Sequence, residues 1–195
     1  MDYPLDFRFK LIALASQIAV RDNHERLVCY VRQKMFKLKE AVTVYADEEQ
    51  TQPLYTITAD RWIDFSARYR IADMAGRELG VVQRRGMRSI WKAQYEVERD
   101  GATVFTIQEA NPWIKLADSV VGELPVVGMF TGYFLHPAYC VVPTGLGLAP
   151  MRLTKRPALF EGKYELDRRA AVDDDEERLA LLSVLMMLLL ERNRG

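Results

Sequence analysis

The sequence predicts a mainly β fold, a closed antiparallel barrel of about twelve strands around a buried C-terminal hydrophobic helix. Short segments of alternating polar and apolar residues recur along much of the chain. Apolar strand starts also repeat at a spacing of about 25 residues, near Leu27, Leu54, Leu79 and Thr103. One long apolar run stands apart near the C-terminus. Since one domain usually has roughly 100–200 residues, we expect residues 1–195 to form a single domain.

The strands are identified by their period of two. Lys92–Glu98 alternates strictly, with apolar side chains on one face, and Ala67–Ile71 and Thr103–Ile107 follow the same pattern. Leu27–Val31 and Ala41–Tyr45 are rich in β-branched and aromatic residues, which are common in strands. Turn residues separate these segments, so we expect consecutive strands to form hairpins.

The N-terminal stretch Leu11–Val20 is apolar enough to resemble the hydrophobic part of a secretory signal. Such a signal needs a positively charged start, whereas here Asp2 and Asp6 offset Arg8 and Lys10. We therefore predict two short strands, with a signal peptide as the alternative.

Each repeat consists of a strand, a kink with bulky residues, a second strand and a polar turn. The kinks are Met35–Leu38, Trp62–Phe65 and Met87–Trp91. Hairpins repeated at this spacing are typical of a barrel or sandwich rather than of βαβ units.

The C-terminal run Leu179–Leu190 is apolar on every side. Acidic residues precede it at Asp173–Glu177, and Arg192 and Arg194 follow it, which suits the helix dipole. We predict a helix over about 174–192. A helix without a polar face is buried all round, and a run of 12 residues is too short to cross a bilayer. Because a barrel of about twelve strands has a wide lumen, this helix is predicted to fill it.

The segment of about 111–137 interrupts the repeat. It is apolar and contains Gly122, Pro125 and Gly128, which favours a short helical insertion near 112–135. Two interpretations remain open, a lid over one barrel end or an exposed apolar surface for a membrane, a partner or a second copy. The side chains proposed for either role are Leu124, Val127, Met129, Phe130 and Phe134.

The order of these features resembles the LURP-one-related family, which shares the fold of the tubby C-terminal domain and the phospholipid scramblases. The matching stretches are Phe7–Val20, Tyr30–Glu40, Gly122–Tyr139, Gly162–Asp167 and Leu179–Leu190. The resemblance implies one twelve-stranded barrel domain around a central helix and implies no catalytic residues. Tubby relatives bind phosphoinositides through basic residues, and scramblases are calcium-linked and membrane-anchored. Neither of those motifs matches this chain residue by residue.

Catalytic and metal-binding patterns are not apparent in the sequence. His24 and His136 have no second His or Cys at zinc-ligand spacing. The acids of Asp173–Glu177 are contiguous and lack the glycine turn of a calcium loop, so we interpret them as a helix start. Cys29 and Cys140 are too few for a disulfide framework and indicate a reducing compartment. We predict no enzymatic activity, no metal and no cofactor.

Basic residues cluster in two of the kinks and could form one patch if the kinks share a barrel rim. These residues are Arg32, Lys34, Lys37, Lys39, Arg84, Arg85, Arg88 and Lys92. Such a patch attracts anionic headgroups, whereas the simpler interpretation is that strands need charge on their outer face. With 27 basic and 27 acidic residues, no binding to nucleic acid is expected.

Our leading hypothesis is a non-enzymatic barrel module that contacts membrane lipid, a phosphoinositide or another anionic headgroup, or a protein partner. It would be cytoplasmic and peripherally associated with a membrane, and the insertion could also mediate oligomer contacts. The first alternative is a carrier of an apolar small molecule, which requires a cavity. The second is an unrecognised enzyme, which requires polar groups that converge in a cleft.

Overall fold

The computed structural model describes residues 1–12, 15–34, 41–60, 67–85, 94–109, 138–144, 149–157 and 162–192. Within these ranges the chain forms twelve strands and one helix. The strands are β1 (Leu5–Ile12), β2 (Ala15–Arg21), β3 (Leu27–Lys34), β4 (Val42–Tyr45), β5 (Pro53–Ala59), β6 (Arg68–Asp73), β7 (Glu78–Arg84), β8 (Gln94–Arg99), β9 (Ala102–Glu109), β10 (Ala138–Pro143), β11 (Met151–Arg156) and β12 (Lys163–Arg168). The helix is α1 (Asp174–Arg192).

Each strand pairs antiparallel with the next one along the chain, and β12 pairs with β1 to close the barrel. Closure leaves no open sheet edge at which another chain could pair. The predicted antiparallel barrel of about twelve strands around a C-terminal helix is confirmed.

Alternation along the strands builds the core. In β8, Tyr95 and Val97 are fully buried, while Glu96 between them is only half-buried. Tyr95 lies opposite Ile107 and Val97 opposite Phe105 in the β8–β9 register, so the apolar faces of neighbouring strands coincide. The period of two in the sequence therefore places one apolar set toward the lumen on every strand.

The antiparallel order gives the barrel two distinct ends. The mouth is the end of the barrel at which the odd-numbered strands finish. The base is the opposite end, at which the even-numbered strands finish. At the base, the β6–β7 turn is short and is fixed by its own side chain. In the β6–β7 turn the Asp73 carboxylate accepts hydrogen bonds from the backbone N–H groups of Ala75 and Arg77, and Gly76 supplies the positive φ that the turn requires.

The helix α1 starts at the base and runs to the mouth. Asp173 caps its first turn, because Oδ1 accepts from the backbone N–H groups of Asp175 at 3.0 Å and Glu176 at 2.9 Å. Every residue of Leu179–Leu189 is at most 4% exposed. The helix therefore fills the barrel, as the sequence predicts.

At Gly80 the barrel wall lies very close to α1. A Cβ atom at this position would lie 2.5 Å from the carbonyl oxygen of Glu98 and 2.9 Å from Cδ1 of Leu179. Only glycine lets β7 lie so close to the helix and to its neighbouring strand.

Several sequence predictions lie outside the described residues. They are the three kinks Met35–Leu38, Trp62–Phe65 and Met87–Trp91 and the helical insertion near 112–135. The two strands predicted within Leu11–Val20 are confirmed, since β1 ends at Ile12 and β2 begins at Ala15.

We expect Leu185→Asp to lower the free energy of unfolding by roughly 4 kcal/mol, because it buries a carboxylate without a partner. Leu185 is fully buried. Chemical denaturation followed by circular dichroism measures the loss. Met74→Asp is the matched control, since Met74 is 52% exposed and the same charge there should change little. Equal stability of Leu185→Asp and wild type would contradict the filled barrel.

We expect Gly80→Ala to cost about 1–3 kcal/mol through overpacking against α1 and β8. Gly162→Ala serves as the control, because its nearest contact for a Cβ is an ordinary 3.6 Å. Thermal unfolding of both variants separates the effect of crowding from that of losing a glycine. A Gly80→Ala variant as stable as Gly162→Ala would show that β7 does not press on the helix.

Candidate functional site

The middle of the lumen is occupied by α1, whose side chains pack against the inward residues of the strands. A carrier that holds its ligand along the barrel axis would need that space. Candidate sites therefore lie at the two ends.

The mouth holds a cluster of three tyrosines around the last turn of α1, which we call the mouth cluster: Tyr95, Tyr139, Tyr164, Glu191 and Arg192. Each tyrosine is the second residue of an even-numbered strand, β8, β10 or β12, so all three stand at the mouth. Tyr95 is fully buried, and its hydroxyl donates a hydrogen bond to the Glu191 carboxylate. This bond holds the end of the helix against the wall.

Electrostatics keeps the mouth cluster tyrosines protonated. Burial, the hydrogen bond to Glu191 and the Glu191 charge raise the pKa of Tyr95 well above its ordinary value. Burial and the charges of Glu191 and Glu109 raise the pKa of Tyr139 to about 12. Burial also raises the pKa of Tyr164, with the Arg192 charge opposing. All three phenols are thus neutral at physiological pH, and the Tyr95 hydroxyl acts as a hydrogen-bond donor.

Arg192 completes the mouth cluster from the other side. Its guanidinium lies 5.1 Å from the centre of the Phe9 ring. The Phe9 ring in turn packs edge-on against the Tyr164 ring, with the two ring centres 5.6 Å apart. The helix dipole favours a cation at the C-terminus of α1 and disfavours a carboxylate. The hydrogen bond from Tyr95 therefore stabilises the Glu191 carboxylate at this position. The mouth cluster is therefore a polar closure of the barrel that anchors α1.

Half of the predicted basic patch falls within the described residues: Arg32, Lys34, Arg84 and Arg85. The other four basic residues, Lys37, Lys39, Arg88 and Lys92, lie outside them. The insertion residues Leu124, Val127, Met129, Phe130 and Phe134 also lie outside them.

The four described basic residues all lie at the mouth, but Arg84 and Arg85 point in different directions. Arg32 is exposed on β3, and Lys34 ends that strand. Arg84 lies opposite Tyr95 in the β7–β8 register, on the lumen side. Its positive charge offsets part of the rise in the pKa of Tyr95. Arg85 is exposed, with Nε 2.8 Å from Glu96 Oε1.

The two basic groups are also separated around the wall. Three strands, β4, β5 and β6, lie between β3 and β7. At about 4.8 Å per strand, the two groups are roughly 19 Å apart along the barrel surface. A flat anionic surface could contact both groups, whereas a single small anion could not.

The other side chains considered as metal ligands are the two histidines and the two cysteines. His24 is exposed in the β2–β3 turn, with Nε2 3.9 Å from Asp2 Oδ2, and His136 lies outside the described residues. Cys29 is buried, which raises the pKa of its thiol to about 12, and Cys140 is half-buried on β10. Across the part of the chain that the structure describes, no three His, Cys, Asp or Glu side chains group as metal ligands do.

Sequence reasoning did not identify the mouth cluster. A signal was present, since the segments of β8, β10 and β12 each carry tyrosine at their second residue. Their common partner Glu191 is 96 residues from Tyr95, so only the closed barrel shows that they meet.

The described part of the chain contains no helix with the length and apolar character needed to span a bilayer.

Comparison with known proteins gives one match. The family model described as LURP-one-related matches residues 27–125, which run from β3 through β9 and beyond and make up half of the chain. No curated protein and no solved structure matches the chain significantly. Because the match covers half of the chain, the chain belongs to the LURP-one-related family.

Proposed function

We propose that the protein is a non-catalytic barrel module that binds the surface of an anionic membrane through its mouth. The single observation that carries this proposal is the unequal distribution of aromatic and charged residues between the segments that join strand ends at the mouth and the segments at the base. The connections at the mouth are 13–14, 35–41, 60–67, 85–93, 110–137 and 157–162. The segments at the base are 1–4, 22–26, 46–52, 74–77, 100–101, 144–150 and 169–173.

Aromatic residues concentrate in the mouth connections. All three tryptophans of the chain, Trp62, Trp91 and Trp113, belong to them, and so do five of its eight phenylalanines. The base segments contain no Trp or Phe and one Tyr, Tyr3. Trp is enriched where proteins meet the membrane interface, because its ring is apolar and its N–H can hydrogen-bond. This asymmetry supports a mouth that faces lipid.

Charge favours the same orientation. The base segments carry eight acidic and three basic residues, whereas the mouth connections carry six acidic and seven basic residues. Arg32, Lys34 and Arg84 at the ends of β3 and β7 add three further cations to the mouth. An anionic surface repels the base and attracts the mouth, at about 1 kcal/mol for each cation near the surface.

The apolar insertion also connects at this end. Glu109 and Tyr139 are register partners on β9 and β10, so residues 110–137 join neighbouring strands at the mouth. The sequence of this segment includes Phe130 and Phe134, which suit partial insertion into the interface. We propose that the segment contacts lipid together with the basic strand ends.

The proposal needs neither a cofactor nor a catalytic residue, and it places the protein on the cytoplasmic face of a membrane. Cys29 and Cys140 are both free thiols, which supports a reducing compartment.

We expect the protein to sediment with vesicles that contain 30 mol% phosphatidylserine in phosphatidylcholine, and not with phosphatidylcholine alone. The double variant Arg32→Glu, Lys34→Glu should weaken this binding at least tenfold, since two cations become anions. Arg77→Glu, Arg169→Glu makes the same change of charge at the base and should bind as wild type or nearly so. Equal losses in both variants, or no sedimentation of wild type, would contradict the proposal.

Replacing phosphatidylserine by a phosphoinositide at equal total charge then tests headgroup choice. Equal binding would indicate that charge density alone is recognised. We expect this result because the two basic groups are roughly 19 Å apart, about four strand spacings.

For the insertion, we expect Phe130→Ser, Phe134→Ser to lose vesicle binding while the melting temperature stays within about 2 °C of wild type, because the proposal has the two rings contact lipid rather than the protein core. Phe7→Ser is the opposite control, since Phe7 is fully buried and should lower stability strongly. If the double variant is destabilised and still binds vesicles, the two phenylalanines pack on the protein and the lipid contact lies elsewhere at the mouth.

A further inference from the structure

The base holds a cavity of about 640 Å³ between the starts of β9 and α1, the end of β10 and the linker 169–173. We propose that this cavity binds a small amphipathic molecule with an apolar body and a protonated amine, and that Glu176 receives the amine. The site lies at the opposite end of the barrel from the proposed membrane surface and does not depend on it.

Hydrogen bonds hold the walls of the cavity in place. The backbone N–H of Thr144 donates to the Val104 carbonyl at 3.0 Å, and its hydroxyl donates to the Thr103 carbonyl at 2.8 Å. On the other side, the N–H of Arg169 donates to the Pro150 carbonyl at 2.6 Å, which ties the linker to the start of β11. The space is therefore a feature of the folded barrel rather than of one free loop.

The wall is mostly apolar. The described lining includes Val104 and Phe105 from β9, Pro143 from β10, and Pro150 and Val172. The volume falls within the roughly 300–1,000 Å³ of pockets that hold small molecules. Apolar walls of this extent favour an apolar body over water.

Glu176 is the single charged side chain among the described residues that line the cavity. Among the described residues, its carboxylate has one ion pair, at 3.5 Å from Nη2 of Arg99. A carboxylate can accept further hydrogen bonds beside this pair. Burial and the Asp173 charge raise the pKa of Glu176, and the Arg99 charge opposes this rise.

The surroundings strengthen the preference for a cation. Asp173, Asp174 and Asp175 precede Glu176, while Arg178 already pairs with Asp175 at 3.2 Å. Together with the acidic excess of the base segments, this arrangement attracts an ammonium group and repels a carboxylate.

Decylamine serves as the probe, with decanoate and decanol as ligands of the same chain length, all below micelle-forming concentrations. Isothermal titration should give saturable binding of decylamine to wild type, at least tenfold tighter than decanoate. Glu176→Gln should weaken decylamine binding about tenfold and leave decanol unchanged, because it removes the charge and keeps the shape of the wall.

Ala171→Trp should fill the cavity and abolish binding of decylamine and decanol alike. Ala171 lies in the exposed linker, so the variant should remain folded, as its melting curve will show. Ala75→Trp places the same ring in an exposed turn at the base, away from the cavity, and should bind decylamine as wild type does.

Three results would overturn the proposal: no saturable binding to wild type, equal affinity for decanoate, or unchanged binding in Ala171→Trp. Vesicle sedimentation of Ala171→Trp should match that of wild type, so failure at the base and failure at the mouth are distinguishable.

Discussion

The fold depends on mutual burial between α1 and the barrel wall. A closed barrel of twelve strands leaves a lumen wider than its own side chains can fill, and a helix that is apolar on every side has no face for water. The helix therefore fills the lumen, and the barrel wall buries the helix, as the burial of Leu179–Leu189 shows. Polar contacts fix the axial position of the helix. Arg168 bonds Glu177 at 2.8 Å at the base, and Tyr95 bonds Glu191 at the mouth.

Filling the barrel has a consequence for function. A lumen occupied by the chain itself cannot hold a ligand along its axis, so the two binding surfaces that we propose lie at the ends of the barrel. The antiparallel order then separates these ends chemically, because alternate connections belong to the mouth or the base. In our proposal, the aromatic and basic residues in the segments that join strands at the mouth, and the acidic residues in the base segments, give the two ends different partners.

Much of the fold follows from local sequence pattern, whereas the candidate sites do not. Alternation in Lys92–Glu98 predicts β8, and the acids and bases around Leu179–Leu190 predict α1, because both signals act within a few residues. The different directions of Arg84 and Arg85 depend on strand register. The bond between Tyr95 and Glu191 depends on barrel closure, and the base cavity depends on how the linker is tied to Pro150. These are long-range properties that spacing along the chain does not contain.

Native-state hydrogen exchange tests the central claim most directly. If α1 fills the barrel, the amides of Leu181–Leu189 can exchange only when the barrel opens. The account predicts that these amides exchange with the same free energy as the core amides of β8 and β9, and with the same dependence on denaturant. Exchange of the helix amides at a distinctly lower free energy, while those strands stay protected, would show that the barrel stands without its helix and would contradict the account.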